Sequence, residues 1–189
     1  MSGYAPGFLY HPVMSDQLPS PKMGQWHVAV AAEAVAAALF ARCGYDVSGQ
    51  YGANQPEYDL AVIRGERMLK VSVKGSQDRG WGLTQSYLKK GKANYHEAID
   101  EWLARHKPRT VFCFVQFIDV PVDAMPRVYL ATPAEVAVQL KACAGGRGET
   151  MLMEKRVWTD RAKHGGKVDQ IPESWHFSPA RFEQLMATA

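Results

Sequence analysis

The feature that most constrains this chain is a run from Val28 to Ala41 in which every side chain is apolar except that of Glu33. Alanine dominates the run and Gly44 stands where a helix would stop, so a helix is expected from about residue 24 to 42. A helix apolar on all sides should be buried on most of them. A carboxylate there is costly unless it meets a cation, a hydrogen-bonding partner or a gap to solvent. Lone charges usually find solvent, so Glu33 alone decides nothing.

The rest of the chain supplies a domain around that helix. Its 189 residues suit one packed domain, and 47% hydrophobic with 22% charged residues is ordinary for a globular protein. Residues 1–22, rich in Gly, Pro, Tyr and Ser, are read as an arm, and 23–189 as a single α/β domain. Strands are expected at 45–51, 58–63 and 68–74, the last two joined through Arg64-Gly65-Glu66-Arg67 as a hairpin. A Gly/Gln/Ser-rich loop follows, then a helix over 92–106 and strands over 110–118 and 127–130. Thr132-Pro133-Ala134-Glu135 and Ser178-Pro179 read as helix starts. The order is α-β-β-β-α-β-β-α, a mixed sheet flanked by helices.

Function classes narrow by exclusion. Cys43, Cys113 and Cys143 are widely spaced and form no C-x-x-C or Cys/His pattern, and Cys113 sits in an apolar run as a core residue. No phosphate-cradling Gly loop, nucleophile elbow or cofactor fingerprint is present, so no organic cofactor is expected. The N-terminal residues lack a basic-then-apolar signal pattern and no run is long enough to span a bilayer; the cytoplasm is the expected compartment, without membrane attachment. A net charge of +3 and a pI near 8.7 are compatible with a polyanionic partner.

Three polar residues interrupt otherwise apolar elements: Glu33 on the helix, Asp59 at the start of a strand, and Lys74 on the next. Side chains alternate along a strand, so Ser72 and Lys74 share one face while Val71 and Val73 point to the other. The hairpin brings Asp59 across from the end that holds Lys74. By themselves Asp59 and Lys74 would be a cross-strand ion pair worth at most about 1 kcal/mol.

Taken together, the helix with its Glu, Gly44-Tyr45-Asp46-Val47, Tyr58-Asp59-Leu60 and Val71-Ser72-Val73-Lys74-Gly75-Ser76 resemble the PD-(D/E)XK nuclease superfamily, closest to its Holliday-junction-resolvase-like branch. The likeness covers about residues 24–118, and its motifs are short. It implies a restriction-endonuclease-like core and a metal-dependent endonuclease that hydrolyses DNA phosphodiesters with Mg²⁺ or Mn²⁺. Asp59 matches the metal-binding aspartate, Lys74 the catalytic lysine and Glu33 the helix glutamate, with the Val73 carbonyl as a further ligand. Ser72 departs from the pattern, standing where the family carries an acid or Gln. That leaves two carboxylates, with Glu57, Gln77 or Asp78 as stand-ins, and keeps open a nuclease-fold protein that binds DNA or a protein without cutting. A homodimer would fit an enzyme that cuts two strands.

Gln77, Arg79, Lys89, Lys90 and Lys92, mixed with Trp81 and Tyr87, suit a groove for DNA, although Trp81 reads better as core than as a base-stacking ring. A second basic stretch runs through Lys155, Arg156, Arg161, Lys163, His164 and Lys167, the composition of a solvated face or an extension of that groove. Trp175 is expected to close the core from the C-terminal side.

Overall fold

The alanine-rich run forms helix α1 (Gln25–Arg42), and Gly44, at φ +80°, turns the chain out of it. This computed structural model describes residues 22–50, 57–88, 94–107, 109–159 and 166–188. After α1 come β1 (Asp46–Gly49), β2 (Leu60–Arg64), β3 (Arg67–Ser76), β4 (Gly80–Gly82), α2 (Tyr95–Leu103), β5 (Thr110–Gln116) and β6 (Arg127–Ala131). Then follow α3 (Pro133–Ala142), β7 (Met151–Met153), β8 (Lys155–Val157), β9 (Val168–Gln170) and α4 (Pro179–Ala187).

The architecture is α/β, with a central mixed sheet in the order β1-β2-β3-β5-β6. β1, β2 and β3 form an antiparallel meander, β5 runs parallel to β3, and β6 is antiparallel to β5. Arg64 pairs with Arg67 across a two-residue turn, and Gly65 supplies the positive φ (+60°) that such a turn needs at its first position. All seven residues of β5 are buried. Val111, Cys113 and Val115 join one core with α1 and α4, while Phe112 and Phe114 join a second with α2 and α3. A near-continuous apolar strand is what a sheet covered on both faces requires. Cys113 is a core residue whose thiol burial pushes far above its usual range. Trp175 is buried in the second core.

Helix α1 corrects the expectation of burial on most sides. Only the stripe Val28, Ala32, Ala36 and Phe40 is buried, while Ala29, Val30, Ala34 and Ala38 face outward. Alanine removes too little apolar area from water to demand a covering layer, so its contribution here is helix propensity. Several boundaries also tighten. The Asn94 side chain accepts from Glu97 N and starts α2 at Tyr95, and the Gln116 side chain accepts from Ile118 N and ends β5 two residues early. The first strand is shorter than expected, and Asp59 lies just ahead of β2 rather than inside it. The expected arm of residues 1–22 falls almost wholly outside the described residues.

The link after Lys74 is more than a loop: β4 within it pairs with β7, Gly80 against Met153 and Trp81 against Leu152. β8 and β9 make a separate two-stranded ribbon. None of these three-residue strands offers a period long enough to read from sequence. Among the described residues no helix is long and apolar enough to cross a membrane.

At α3 the capping box is complete: Glu135 N donates to Thr132 Oγ1, and the Glu135 carboxylate receives Thr132 N. The same carboxylate receives Arg181 Nη2 at 2.6 and 2.7 Å, while Arg181, buried on α4, also donates to Leu130 O. One guanidinium thus joins α3, β6 and α4. Arg181→Ala leaves those acceptors without their charged donor and should cost about 2–3 kcal/mol in urea unfolding. A loss below ~0.5 kcal/mol would show the cluster to be dispensable.

Candidate functional site

Gly75 determines how close helix and sheet can come. A Cβ built on it would lie 2.7 Å from Val28 Cγ1, 2.8 Å from Val28 O and 2.9 Å from Ala32 Cβ. With only hydrogen at that position, α1 rests its backbone almost directly on β3. Glu33, one residue past Ala32, is thereby held above the end of β3. The result is a cleft of about 450 Å³ whose lining includes Glu33, Asp59, Val73, Lys74, Gln77 and Asp78.

Asp59 is fixed by the main chain. Its Oδ2 receives Val73 N at 2.6 Å and Ser72 Oγ at 3.4 Å, and its own N donates to Val71 O. Leu60 pairs with Val71, so the aspartate stands opposite Ser72 and Val73 rather than opposite Lys74. Lys74 follows on the same strand, half-buried in the cleft wall, and its carbonyl accepts from Trp81 Nε1 at 2.8 Å. Trp81 is buried against Phe114 and Tyr129, which keeps its ring from any base.

The electrostatics follow from this crowding. Burial first, and then the nearby Asp59 carboxylate, push the Glu33 carboxyl above its ordinary value of 4.5, while the Lys74 ammonium pulls it partly back. Two carboxylates and one ammonium thus share a partly desolvated corner, with one negative charge in excess when all three ionise. Among the described residues no three His, Cys, Asp or Glu side chains converge as a metal site would have them. Glu33, Asp59 and Asp78 are the acids in the cleft lining, and a divalent ion beside Glu33 and Asp59 would relieve the repulsion that raises Glu33. Two carboxylate donors fit a hard cation held mostly by water.

Other expected residues are placed differently. Ser72 touches Asp59 and adds a hydroxyl where an acid would add charge. The Glu57 carboxylate receives Lys107 N, and Glu57 is not among the residues lining the cleft. Gln77 exchanges hydrogen bonds with Met23 N and O, fastening the loop to the chain just ahead of α1. Asp78 accepts from Ser76 Oγ, and Gln116 Nε2 also donates to that hydroxyl. Arg79, at φ +74°, lies at the rim and pairs with Asp119 at 3.5 Å. Lys89, Lys90 and Lys92 lie outside the described residues. Trp81 is core, as its sequence suggested, but its bond to the Lys74 carbonyl and the role of Gly75 left no such mark, beyond a lone glycine inside a strand for the second.

No family model matches the chain, and no curated protein matches its sequence.

Two outcomes follow from this geometry. Gly75→Ala should lower stability by about 1–3 kcal/mol, because backbone as well as side-chain atoms of α1 must retreat; unchanged denaturant unfolding would show that the helix has room. Because the folded state holds the Glu33 proton more tightly than the unfolded chain, its stabilising share is complete below pH 4.5 and is lost as pH rises through the raised folded value. Glu33→Gln should therefore melt about 1–2 °C above the native protein at pH 7 and level with it at pH 4. A lower melting temperature at pH 7 in calorimetry would contradict this sign.

Proposed function

We propose that this protein is a metal-dependent endonuclease that hydrolyses DNA phosphodiester bonds at the Glu33–Asp59–Lys74 cleft. The observation that carries the reading is the convergence of Glu33, Asp59 and Lys74, contributed by a helix, the entry to one strand and the neighbouring strand, in a single cleft. The resemblance to the PD-(D/E)XK superfamily assigns those three positions, and the meander β1-β2-β3 with β5 parallel to β3 is compatible with it.

Each residue has a task that its surroundings suit. Asp59, oriented by Val73 N–H and the Ser72 hydroxyl, presents its carboxylate in a fixed direction. Glu33 approaches from above as the second acidic ligand. Mg²⁺ or Mn²⁺ held by these two groups would supply charge for the phosphorane-like transition state and acidify a bound water. The Lys74 ammonium would bind a non-bridging phosphate oxygen and offset charge as it develops there. Trp81 holds the Lys74 main chain still by its bond to the carbonyl, so the side chain starts from a rigid base.

A second reading is favoured by Ser72 and by the shortage of acids: a protein of this fold that binds DNA or a protein without cutting it. The two separate in one experiment. Plasmid and branched DNA are incubated with the protein in Mg²⁺ and in Mn²⁺, beside Asp59→Ala. Cleavage reduced about 100-fold or more in the variant supports the enzyme. Salt-sensitive binding with no cleavage in either metal sinks it in favour of the binding protein.

A further inference from the structure

Helix α1 has a second face that neither the core nor the cleft uses. Val28, Ala32, Ala36 and Phe40 bury one stripe against the sheet, and Gln25, Ala29 and Glu33 border the cleft. Opposite the buried stripe stand Trp26, Val30, Ala34, Ala38 and Ala41, all exposed. Trp26 is 71% accessible and Val30 46%. The first four recur every four residues and so form one ridge along the helix. At 1.5 Å per residue this face runs about 25 Å.

What this face lacks is charge. Between His27 and Arg42 the helix has a single polar side chain, Glu33, and that one borders the cleft. Helix α2 shows the ordinary composition of a solvent-facing surface, with Glu97, Asp100 and Glu101 all exposed. Alanine by itself needs no cover. An indole and a valine on a ridge without a charged neighbour are different: they form an apolar patch of the kind that marks an interaction site.

The order of sizes along the ridge shows what fits it. Trp26 and Val30 occupy its first half, and the second half is alanine. A second copy laid antiparallel, Ala34 on Ala34, sets large residues on small ones. Val30 then meets the partner's Ala38, and Trp26 meets the partner's Ala41 and the partner's Arg42, whose guanidinium suits an indole face. A parallel copy would set Trp26 on Trp26 and leave a gap along the alanines. Alanines let two helix axes approach to about 8 Å. Covering the face on both copies removes on the order of 1,000 Å² of surface, the lower bound for a specific dimer. No ion has to be desolvated where the ridges cross, so the apolar contact is not offset.

We propose that the outer face of α1 is a homodimer interface, in which two copies of this chain pair these helices antiparallel about a two-fold axis at Ala34. An isologous contact of this kind closes on itself and needs no second patch. The interface is separate from the cleft and stands whether or not the cleft cuts DNA.

The test is sedimentation velocity of the full-length chain, freed of nucleic acid, over a concentration series reaching ~100 μM. The native protein should sediment at twice the chain mass at the upper end. Val30→Glu sets a carboxylate against the partner's Ala38 and should weaken dimerisation at least ~100-fold, with helical circular dichroism unchanged. Adding Ala38→Lys to the same chain should recover at least ~10-fold of that loss. Within one helix the two positions lie about 12 Å apart, so only an antiparallel partner brings them together. A native monomer at ~100 μM overturns the proposal and gives the face to residues 1–21 or to a different protein. A dimer indifferent to Val30→Glu, or a double variant no tighter than Val30→Glu alone, overturns it as well.

Discussion

The approach of α1 onto β3 across Gly75 is the constraint on which the rest depends. Three heavy atoms of α1 lie within 3 Å of where a Cβ would be, so the spacing is set by the absence of a side chain on one partner and by Ala32 on the other. Small residues on both surfaces let a helix sit unusually low on a sheet. That height brings Glu33 within electrostatic range of Asp59 and Lys74; a larger residue at Gly75 would carry the carboxylate up and away. The alanines of α1 therefore matter less as apolar surface than as thin spacers.

Having come close, the charged groups are held in a tension that the fold does not relieve. Asp59 accepts a hydrogen bond from Val73 N–H. Glu33 has burial and a like charge against it and only Lys74 in its favour. Elsewhere the same chain resolves such conflicts fully: Glu135 with Arg181, and Glu154 with Arg127 and Tyr129, have carboxyls held below the usual range because direct donors outweigh their burial. The unresolved pair is thus a local exception. Perturbed carboxyls cluster at functional sites, which is why the proposal places its cation here.

The second layer makes the cleft rigid. Trp81 reaches from β4 to the Lys74 carbonyl, β7 pins β4, and the main chain of Glu154 joins that wall to the ribbon beyond. Strands of three residues would not persist alone, but each is tied to a buried aromatic or an ion pair.

Much of the framework was readable along the chain. Alanine propensity announced α1, alternation and a Gly-bearing turn announced the hairpin, the five-residue apolar run from Val111 to Val115 announced β5, and Thr132-Pro133 announced α3, because each signal acts between residues close in sequence. The pairing of Glu33 with Asp59 and Lys74 was suggested by their isolation in apolar elements, yet isolation cannot say how near two elements pack. Tertiary structure decided that Glu57 and Gln77 turn to main-chain partners, that Asp59 faces Ser72 and Val73, and that α1 buries a single stripe. It also decided that Trp81 belongs to a strand, since β4 exists only because β7 arrives from some seventy residues later to pair with it. Local propensity is written into neighbouring residues; the height of a helix above a sheet and the choice of hydrogen-bond partner are set by atoms that the sequence keeps far apart.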